Sequence, residues 1–244
     1  MYKGGNMIID FHNHIGRKKG LEFTAEQLIE KMDASHIDKA VVFSFPENIN
    51  NDYIVESCAK YPDRLIGFVT VNPWDENDQE VLEYYLGEKK LKGIKLHPLR
   101  HGYNFDNHLL LDPIFEIAKK YDVPIIAYGA ANVLSVSNMF EEMAKTFPSV
   151  KLVMAHSGQM YEAKPAISAA SRTPNLYLES SRIFALNVRK SISDVRLEQL
   201  LLGTDMPYGD YDLELMKIKG ECPDEETFNA YVGGNALKLL GGKL

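Results

Sequence analysis

The 244-residue sequence contains only two cysteines, Cys58 and Cys222, which lie far apart and in no metal-binding or redox spacing. A structural disulfide is therefore not expected. Scarce cysteine suits a reducing compartment, and we expect a cytoplasmic protein.

The sequence also lacks long apolar runs and an excess of basic charge. No apolar stretch approaches the ~20 residues that would span a bilayer, and the N-terminus lacks a signal pattern. Acidic residues outnumber basic ones by 34 to 27, which gives a formal net charge of −7. We therefore expect neither a membrane nor a nucleic-acid partner. Residues 1–6, MYKGGN, are expected to be a short disordered lead to a single domain over residues 7–244.

Eight short apolar, β-rich segments recur along the chain and alternate with stretches of helical periodicity. They are IIDFH (8–12), AVVFSF (40–45), LIGFVTV (65–71), GIKLH (93–97), PIIAY (124–128), KLVMAH (151–156), LYLES (176–180) and LLLGTD (200–205). Strands of this kind, about 25 to 30 residues apart, are typical of a single closed (β/α)₈ TIM barrel. An open doubly wound sheet is the alternative, but it calls for a glycine-rich phosphate turn after the first strand, where this chain has His-Asn-His.

The intervening stretches carry helix start and stop signals. In TAEQLIEKMDASH, Thr24 and Gln27 form a capping-box pattern. The stretch LLLDPIFEIAKKYDVP predicts a helix that ends near Asp122 and Pro124. Each repeating unit therefore reads as strand, loop and helix.

Two histidines one residue apart follow the first apolar segment, in MIIDFHNHIG. Alternate residues of a strand share a face, which predicts that Asp10, His12 and His14 lie together while Phe11 and Asn13 turn away. Two imidazoles placed in this way can bind one metal ion.

Further reactive residues stand where other predicted strands end. In a barrel of this type the C-terminal strand ends form one mouth, where the chemistry gathers. Four of the seven histidines fall at such positions. The sequence therefore predicts a common mouth with a metal site, containing His12, His14, Lys95, His97, His156 and Asp205.

Each residue also has a structural interpretation when it is taken alone. His156 fits a core histidine bonded to the backbone, and Asp205 fits a turn cap in Gly-Thr-Asp-x-Pro. Lys95 fits a buried salt bridge with Asp10 or Glu179.

Five motifs together, DFHNH, GIKLHP, MAHSG, GTDMPYG and GGNALKLLG, resemble the amidohydrolase superfamily. More narrowly, they resemble its amidohydrolase-related branch of small metal-dependent hydrolases and decarboxylases. The resemblance runs from Met7 to Gly241.

The resemblance implies roles for the residues that match its motifs. His12 and His14 would be metal ligands, and Asp205 would contact both the metal and the reacting water. His156 would be a further ligand or a positioner of the substrate. The ligand types suit one divalent metal ion, with a preference for zinc.

One departure from the family pattern falls on strand 5, which usually ends in another histidine ligand. This chain has Tyr128 at the matching position, in Val-Pro-Ile-Ile-Ala-Tyr-Gly. A neutral phenol is a poor ligand near pH 7 because its pKa is ~10. Lys95 stands where two-metal relatives carry a carboxylated lysine, and we expect one metal and an unmodified Lys95.

The expected activity is metal-dependent hydrolysis of a small amide, ester or lactone, in which Asp205 takes a proton and His156 polarises the substrate carbonyl. The alternatives are a metal-dependent non-oxidative decarboxylase and a catalytically weak ligand-binding barrel. We expect a small and anionic substrate and allow for a homo-oligomer. The candidate substrate-binding residues are Arg100, Arg182, Tyr128 and Trp74. The two arginines also fit solvated loop charges, and Trp74 also fits loop packing.

Overall fold

A computed structural model describes residues 7–130 and 132–242. The predicted disordered lead, residues 1–6, lies outside the described residues. The strands are β1 (Ile9–His14), β2 (Gly16–Lys18), β3 (Leu21–Phe23), β4 (Lys39–Phe43), β5 (Leu65–Gly67), β6 (Val69–Thr70), β7 (Ile94–Leu96), β8 (Ile125–Tyr128), β9 (Leu152–Ala155), β10 (Leu176–Glu179) and β11 (Leu200–Leu201).

Apart from the antiparallel hairpin β2–β3, the strands pair in parallel in the orders β1-β4-β5 and β6-β7-β8-β9-β10-β11. Strands β5 and β6 together occupy one strand position of the barrel and are separated only by Phe68. The Phe68 amide donates to Val42 O of β4 (2.9 Å), and the next amide, of Val69, donates to Gly93 O beside β7 (2.8 Å). The two sheets therefore join without a gap.

The barrel closes between β1 and the segment after β11. The Phe11 amide donates to Leu202 O (2.9 Å), and the His14 amide donates to Met206 O (2.8 Å). In return, the Asp205 amide donates to His12 O (2.9 Å). The prediction of a (β/α)₈ barrel is confirmed, although β11 covers only Leu200–Leu201 of the predicted segment 200–205.

Helices follow the barrel strands and cover the outside. They are α1 (Ala25–Ala34), α2 (Asn51–Lys60), α3 (Asp78–Gly87), α4 (Pro98–His101), α5 (His108–Tyr121), α6 (Ser137–Thr146), α7 (Ala163–Arg172), α8 (Ala185–Asp194), α9 (Tyr211–Glu221), α10 (Glu225–Asn229) and α11 (Asn235–Leu239), with a π-helical turn at Ala230–Gly234 and 3₁₀ turns at His156–Gly158 and Leu197–Gln199.

The predicted helix signals are confirmed. Thr24 and Gln27 form the reciprocal capping box that begins α1. Helix α5 ends at Tyr121, with Asp122 as its C-cap. Among residues 7–130 and 132–242, no helix is long and apolar enough to cross a bilayer.

Apolar side chains fill two layers. Aromatic rings of three strands pack inside the barrel, where Phe11 and Phe68 meet edge to face with ring centroids 5.6 Å apart, beside Phe43. The second layer lies between the sheet and the helices and includes Leu28, Phe115 and many other fully buried side chains. Burial of one such side chain contributes roughly 1.5–3 kcal/mol to the free energy of folding. Because such interiors are close-packed, they hold the polar groups at the C-terminal end of the barrel in fixed positions.

The seam between β1 and β11 also contains a buried polar contact. Asp10 is fully buried and accepts hydrogen bonds from the Thr204 amide (3.0 Å) and the Thr204 hydroxyl (2.5 Å). Burial raises the pKa of Asp10 to about 8, despite these hydrogen bonds. The contact ties the start of β1 to the residue that precedes Asp205.

We predict that Thr204→Val destabilises the barrel by about 1–3 kcal/mol, because it removes a buried donor to Asp10. The measurement is urea unfolding followed by circular dichroism. Thr146→Val, at an exposed helix end, is the matched control and should change stability by less than about 0.5 kcal/mol. Equal midpoints for the two variants would show that the Thr204 hydroxyl does not stabilise the seam.

Candidate metal centre

A cavity of about 240 Å³ opens at the C-terminal end of the barrel strands. Most of the predicted site residues line it, although they come from six different strand ends. The predicted residues that the structure brings to this cavity are His12, His14, Lys95, His97, Arg100, Tyr128, His156, Arg182 and Asp205.

Strand β1 reaches the cavity through an irregularity that simple alternation does not predict. Its register against β4 shifts between Asp10 and Asn13. As a result Phe11 packs inside the barrel directly below His12, while Asp10 bonds to Thr204 and Asn13 accepts from Tyr211 of α9 (3.1 Å). The prediction that Asp10 shares a face with the two histidines was wrong, because a β-bulge re-aims the side chains on either side of it.

Hydrogen bonds fix the orientation of both histidines of β1. His12 Nδ1–H donates to Glu179 Oε2 (2.8 Å), and His14 Nδ1–H donates to the Ser44 carbonyl (3.1 Å). Burial, together with the nearby Lys95 ammonium, lowers the pKa of both imidazoles well below the usual value. Each ring is therefore neutral, and each Nε2 presents a lone pair to the cavity.

Asp205 supplies the third donor atom. Its Oδ1 lies 3.4 Å from His12 Nε2 and 3.6 Å from His14 Nε2. Two ligands each ~2.1 Å from one tetrahedral ion stand about 3.4 Å apart, so these separations suit a single first-row divalent metal ion. Two imidazole nitrogens and a carboxylate oxygen are also a suitable donor set for such an ion. These residues therefore fit a mononuclear metal centre.

Two basic side chains touch this set of donors. Arg182 Nε donates to Asp205 Oδ2 (2.6 Å), and Lys95 Nζ lies 3.4 Å from His12 Nε2. Burial raises the pKa of Asp205 to about 6, against the opposing effect of Arg182. Burial lowers the pKa of Lys95 to about 8, against the effect of the Asp205 and Glu179 carboxylates. A metal ion would thus bind beside two positive groups that also face the cavity.

A fully buried carboxylate, Glu179 at the end of β10, organises one side of the cavity. Besides His12, it accepts from the amide of His156 (3.1 Å) and from the amide (2.5 Å) and hydroxyl (2.9 Å) of Ser181. The Ser181 hydroxyl in turn accepts from His156 Nδ1–H (2.7 Å). His156 Nε2 is therefore left with its lone pair, and the ring lies 4.9 Å from that of His12. This bonding favours a positioning role for His156, while its role as a metal ligand stays a prediction.

His97 and Tyr128 form a stacked pair beside His156, with ring centroids 4.4 Å apart and planes at 13°, and the Tyr128 centroid lies 5.2 Å from that of His156. His97 Nδ1 accepts from the Arg100 amide (3.3 Å), as an N-cap of the short helix α4. In the neutral ring this bond places the proton on Nε2, which favours His97 as a hydrogen-bond donor to the cavity, and its catalytic role stays a prediction. The tyrosine that replaces the usual histidine serves here as a stacking partner.

Four residues that line the cavity have a positive φ, a backbone conformation that is uncommon outside glycine, although asparagine, aspartate and histidine adopt it more often than other residues. They are His156 (φ 62°), Gln159 (φ 53°), Arg182 (φ 63°) and Asp205 (φ 63°), each at or just beyond a strand end. Such backbone costs of order 1–2 kcal/mol per residue. It turns each side chain back over the mouth, and strain of this kind clusters at functional sites.

Trp74 is placed apart from the cavity. Its side chain is exposed, and its indole N–H donates to the His101 carbonyl (2.9 Å), which fits loop packing.

Sequence reasoning missed other lining residues, namely Lys18, Phe45, Glu47, Gln159 and Tyr208. The sequence indicates Glu179 only as a possible partner for Lys95. A signal for its larger role is nevertheless present, since it is a charged residue at the end of an apolar strand.

Fold and site together define a parallel barrel with a candidate mononuclear metal centre at its mouth. A sequence model of the amidohydrolase family matches residues 9–242, and the chain belongs to that family. The resemblance seen in the sequence motifs is thereby confirmed. No curated protein matches the chain.

Solved structures share the fold at low sequence identity. The 5-carboxyvanillate decarboxylase LigW of Sphingomonas paucimobilis has a TM-score of 0.76 at 14% identity, with 97% of this chain and 99% of that chain covered. The 5-carboxyvanillate decarboxylase of Novosphingobium aromaticivorans, complexed with manganese and 4-hydroxy-3-methoxy-5-nitrobenzoic acid, gives 0.78 at 17%, covering 97% and 96%. An uncharacterized TIM-barrel protein of Bordetella bronchiseptica gives 0.80 at 16%, covering 96% and 98%.

We predict that His12→Ala and Asp205→Asn each remove most of the bound metal, because each change deletes or weakens a donor of the set. The barrel should stay folded, since residues at the mouth serve chemistry and those below serve stability. Elemental analysis after dialysis and thermal unfolding measure the two effects. His108→Ala, on helix α5 away from the cavity, is the control, and full metal content in both variants would place the metal elsewhere.

We also predict that Tyr128→His tightens zinc binding about 10-fold, which corresponds to about 1.4 kcal/mol. The reason is that the variant supplies an imidazole at the strand end where the family usually has one. The measurement is titration with zinc against a competing chelator, wild type beside variant. Unchanged affinity would show that an imidazole at this position does not reach the metal.

Proposed function

We propose that this protein is a metal-dependent hydrolase that acts on a small anionic amide, ester or lactone. The observation that carries the proposal is the position of Asp205. One of its oxygens faces the Nε2 atoms of His12 and His14, and the other is paired with Arg182. A carboxylate paired with a guanidinium is favoured in its ionised form, which is the form that accepts a proton.

His12, His14 and Asp205 would hold the metal ion, and we favour zinc for this donor set, with manganese as the next candidate. When bound, a divalent ion lowers the pKa of water and polarises a carbonyl. The remaining steps depend on the protein's own groups. Asp205 Oδ2 has a lone pair besides the one that accepts from Arg182, and takes the proton of the attacking water there.

The cavity walls would hold and orient the substrate. Lys95, Arg100 and Arg182 line the cavity, and arginine forks suit carboxylate groups. His156 Nε2 carries no proton in the neutral ring, so His156 could polarise a carbonyl only as the imidazolium, which burial disfavours. We therefore assign it to substrate orientation. The stacked His97–Tyr128 pair offers a flat wall for a planar substrate.

Non-oxidative decarboxylation is the second candidate. It is favoured by the basic side chains that line the cavity and by the fold shared with two carboxyvanillate decarboxylases. In this reaction the substrate carboxylate leaves as carbon dioxide and a protein acid supplies one proton to the carbon. Asp205 would have to act in its protonated form, against its pairing with Arg182, although burial raises its pKa to about 6. A cytoplasmic location and a homo-oligomeric assembly stay predictions from the sequence.

The test of function is an assay of the zinc- and manganese-loaded protein with two panels of compounds. One panel contains carboxylated lactones, esters and amides, and the other contains carboxylated phenols. A pH-stat follows the proton that ester and lactone hydrolysis releases, an amine assay follows amide hydrolysis, and carbon dioxide is measured in parallel. We expect metal-dependent hydrolysis of members of the first panel, lowered at least 100-fold by Asp205→Asn.

Asp212→Asn, an exposed residue of α9, is the matched control and should keep the full rate. Carbon dioxide release from the second panel would contradict the proposed hydrolysis and support decarboxylation. Metal-loaded protein that turns over neither panel but binds its members would indicate a ligand-binding barrel.

A further inference from the structure

The outer wall of the cavity is built by a part of the chain to which no function has been assigned above. The hairpin β2–β3 follows β1 directly and carries Lys18 to the cavity. The Lys18 ammonium lies 4.9 Å from the Tyr208 ring centroid and 5.5 Å from that of Phe45. Its side chain is only 18% exposed, so the charge is held in place rather than free in solvent.

A single carboxylate joins Lys18 to a second basic residue of the wall. Glu47 Oε1 lies 3.4 Å from Lys18 Nζ and 3.2 Å from Arg100 Nε. Lys18 ends strand β2, Glu47 lies in the loop after β4 and Arg100 lies in helix α4, and all three line the cavity. Two positive charges thus share one negative charge, which leaves this wall with an excess of one positive charge.

The outer wall is separated from the metal centre by one aromatic ring. Tyr208 lies between the two regions, with the Arg182 guanidinium 5.7 Å from its ring centroid and the Lys18 ammonium 4.9 Å from it. The inner region holds two further basic side chains, Arg182, which is paired with Asp205, and Lys95, whose Nζ lies 3.4 Å from His12 Nε2. Basic side chains therefore stand on both sides of the Tyr208 ring.

We propose that Lys18 and Arg100, bridged by Glu47, form an outer anion subsite that selects substrates with a second acidic group. This inference rests on the proposed function, in which the first acidic group is held near Lys95 and Arg182. The substrate class is a dianion whose two acidic groups are separated by one ring or an equally short spacer. The cavity of about 240 Å³ is smaller than the ~300–1,000 Å³ of drug-sized sites and suits such a small molecule.

Binding of two probes tests the subsite without requiring turnover. The probes are benzene-1,3-dicarboxylate and benzoate, measured by calorimetry with zinc-loaded protein at fixed ionic strength. We expect the wild-type protein to bind the dicarboxylate at least 10-fold more tightly than benzoate. Lys18→Met, which keeps the packing on Phe45 and Tyr208 but removes the charge, should abolish this preference and leave benzoate affinity within 2-fold of wild type.

Lys18→Arg should restore the preference, because it restores the charge. Lys19→Met is the matched control, since Lys19 stands next along the hairpin, is exposed and does not line the cavity. If Lys19→Met lost the preference for the dicarboxylate as fully as Lys18→Met does, the cause would be a general charge effect, and the subsite would be overturned. Equal wild-type affinity for the two probes would also overturn the subsite, as would a Lys18→Met variant that lost affinity for both probes. Either result would leave the proposed function intact. Failure of wild type to bind either probe would overturn both proposals.

Discussion

The buried carboxylate of Glu179 is the contact on which the rest of the site depends. It accepts hydrogen bonds from a side chain of β1, from the backbone after β9 and from the loop after β10. It fixes which nitrogen of His12 carries a proton directly and which nitrogen of His156 does through the Ser181 hydroxyl, and so directs two lone pairs into the cavity. The ends of three strands are thereby held in one arrangement before any ligand or metal binds, which is the preorganisation that a binding site of this kind requires.

This arrangement explains a feature of the strand that follows in the barrel. Gly203 lies where a Cβ would collide with Oε1 of Glu179. The glycine in LLLGTD therefore makes room for the carboxylate, and the two residues after it then tie the barrel seam to Asp10 and carry Asp205 to the donor set. One short segment thus serves packing, closure and chemistry at three successive positions.

Much of this could be predicted from the sequence because it depends on local patterns. The eight barrel positions follow from apolar runs, and the positions of His97, His156 and Asp205 follow from where those runs end. The bulge in β1 could not be predicted, because its register is set by the neighbouring strand. Nor could the wall formed by Lys18, Glu47 and Arg100, since these three residues belong to separate segments of the chain that meet only in the folded barrel. The departure at Tyr128 was visible, but its stacking on His97 was not.

The left-handed backbone at His156, Arg182 and Asp205 has a consequence for how such a site would be lost. At each position glycine would relieve backbone strain, so the substitutions that delete the functional side chains also remove a cost to folding. Glycine at any of these three positions would therefore relieve the backbone while it removes the side chain that faces the cavity. Persistence of all three side chains in a chain would accordingly record selection for what the cavity does, rather than for the fold that surrounds it.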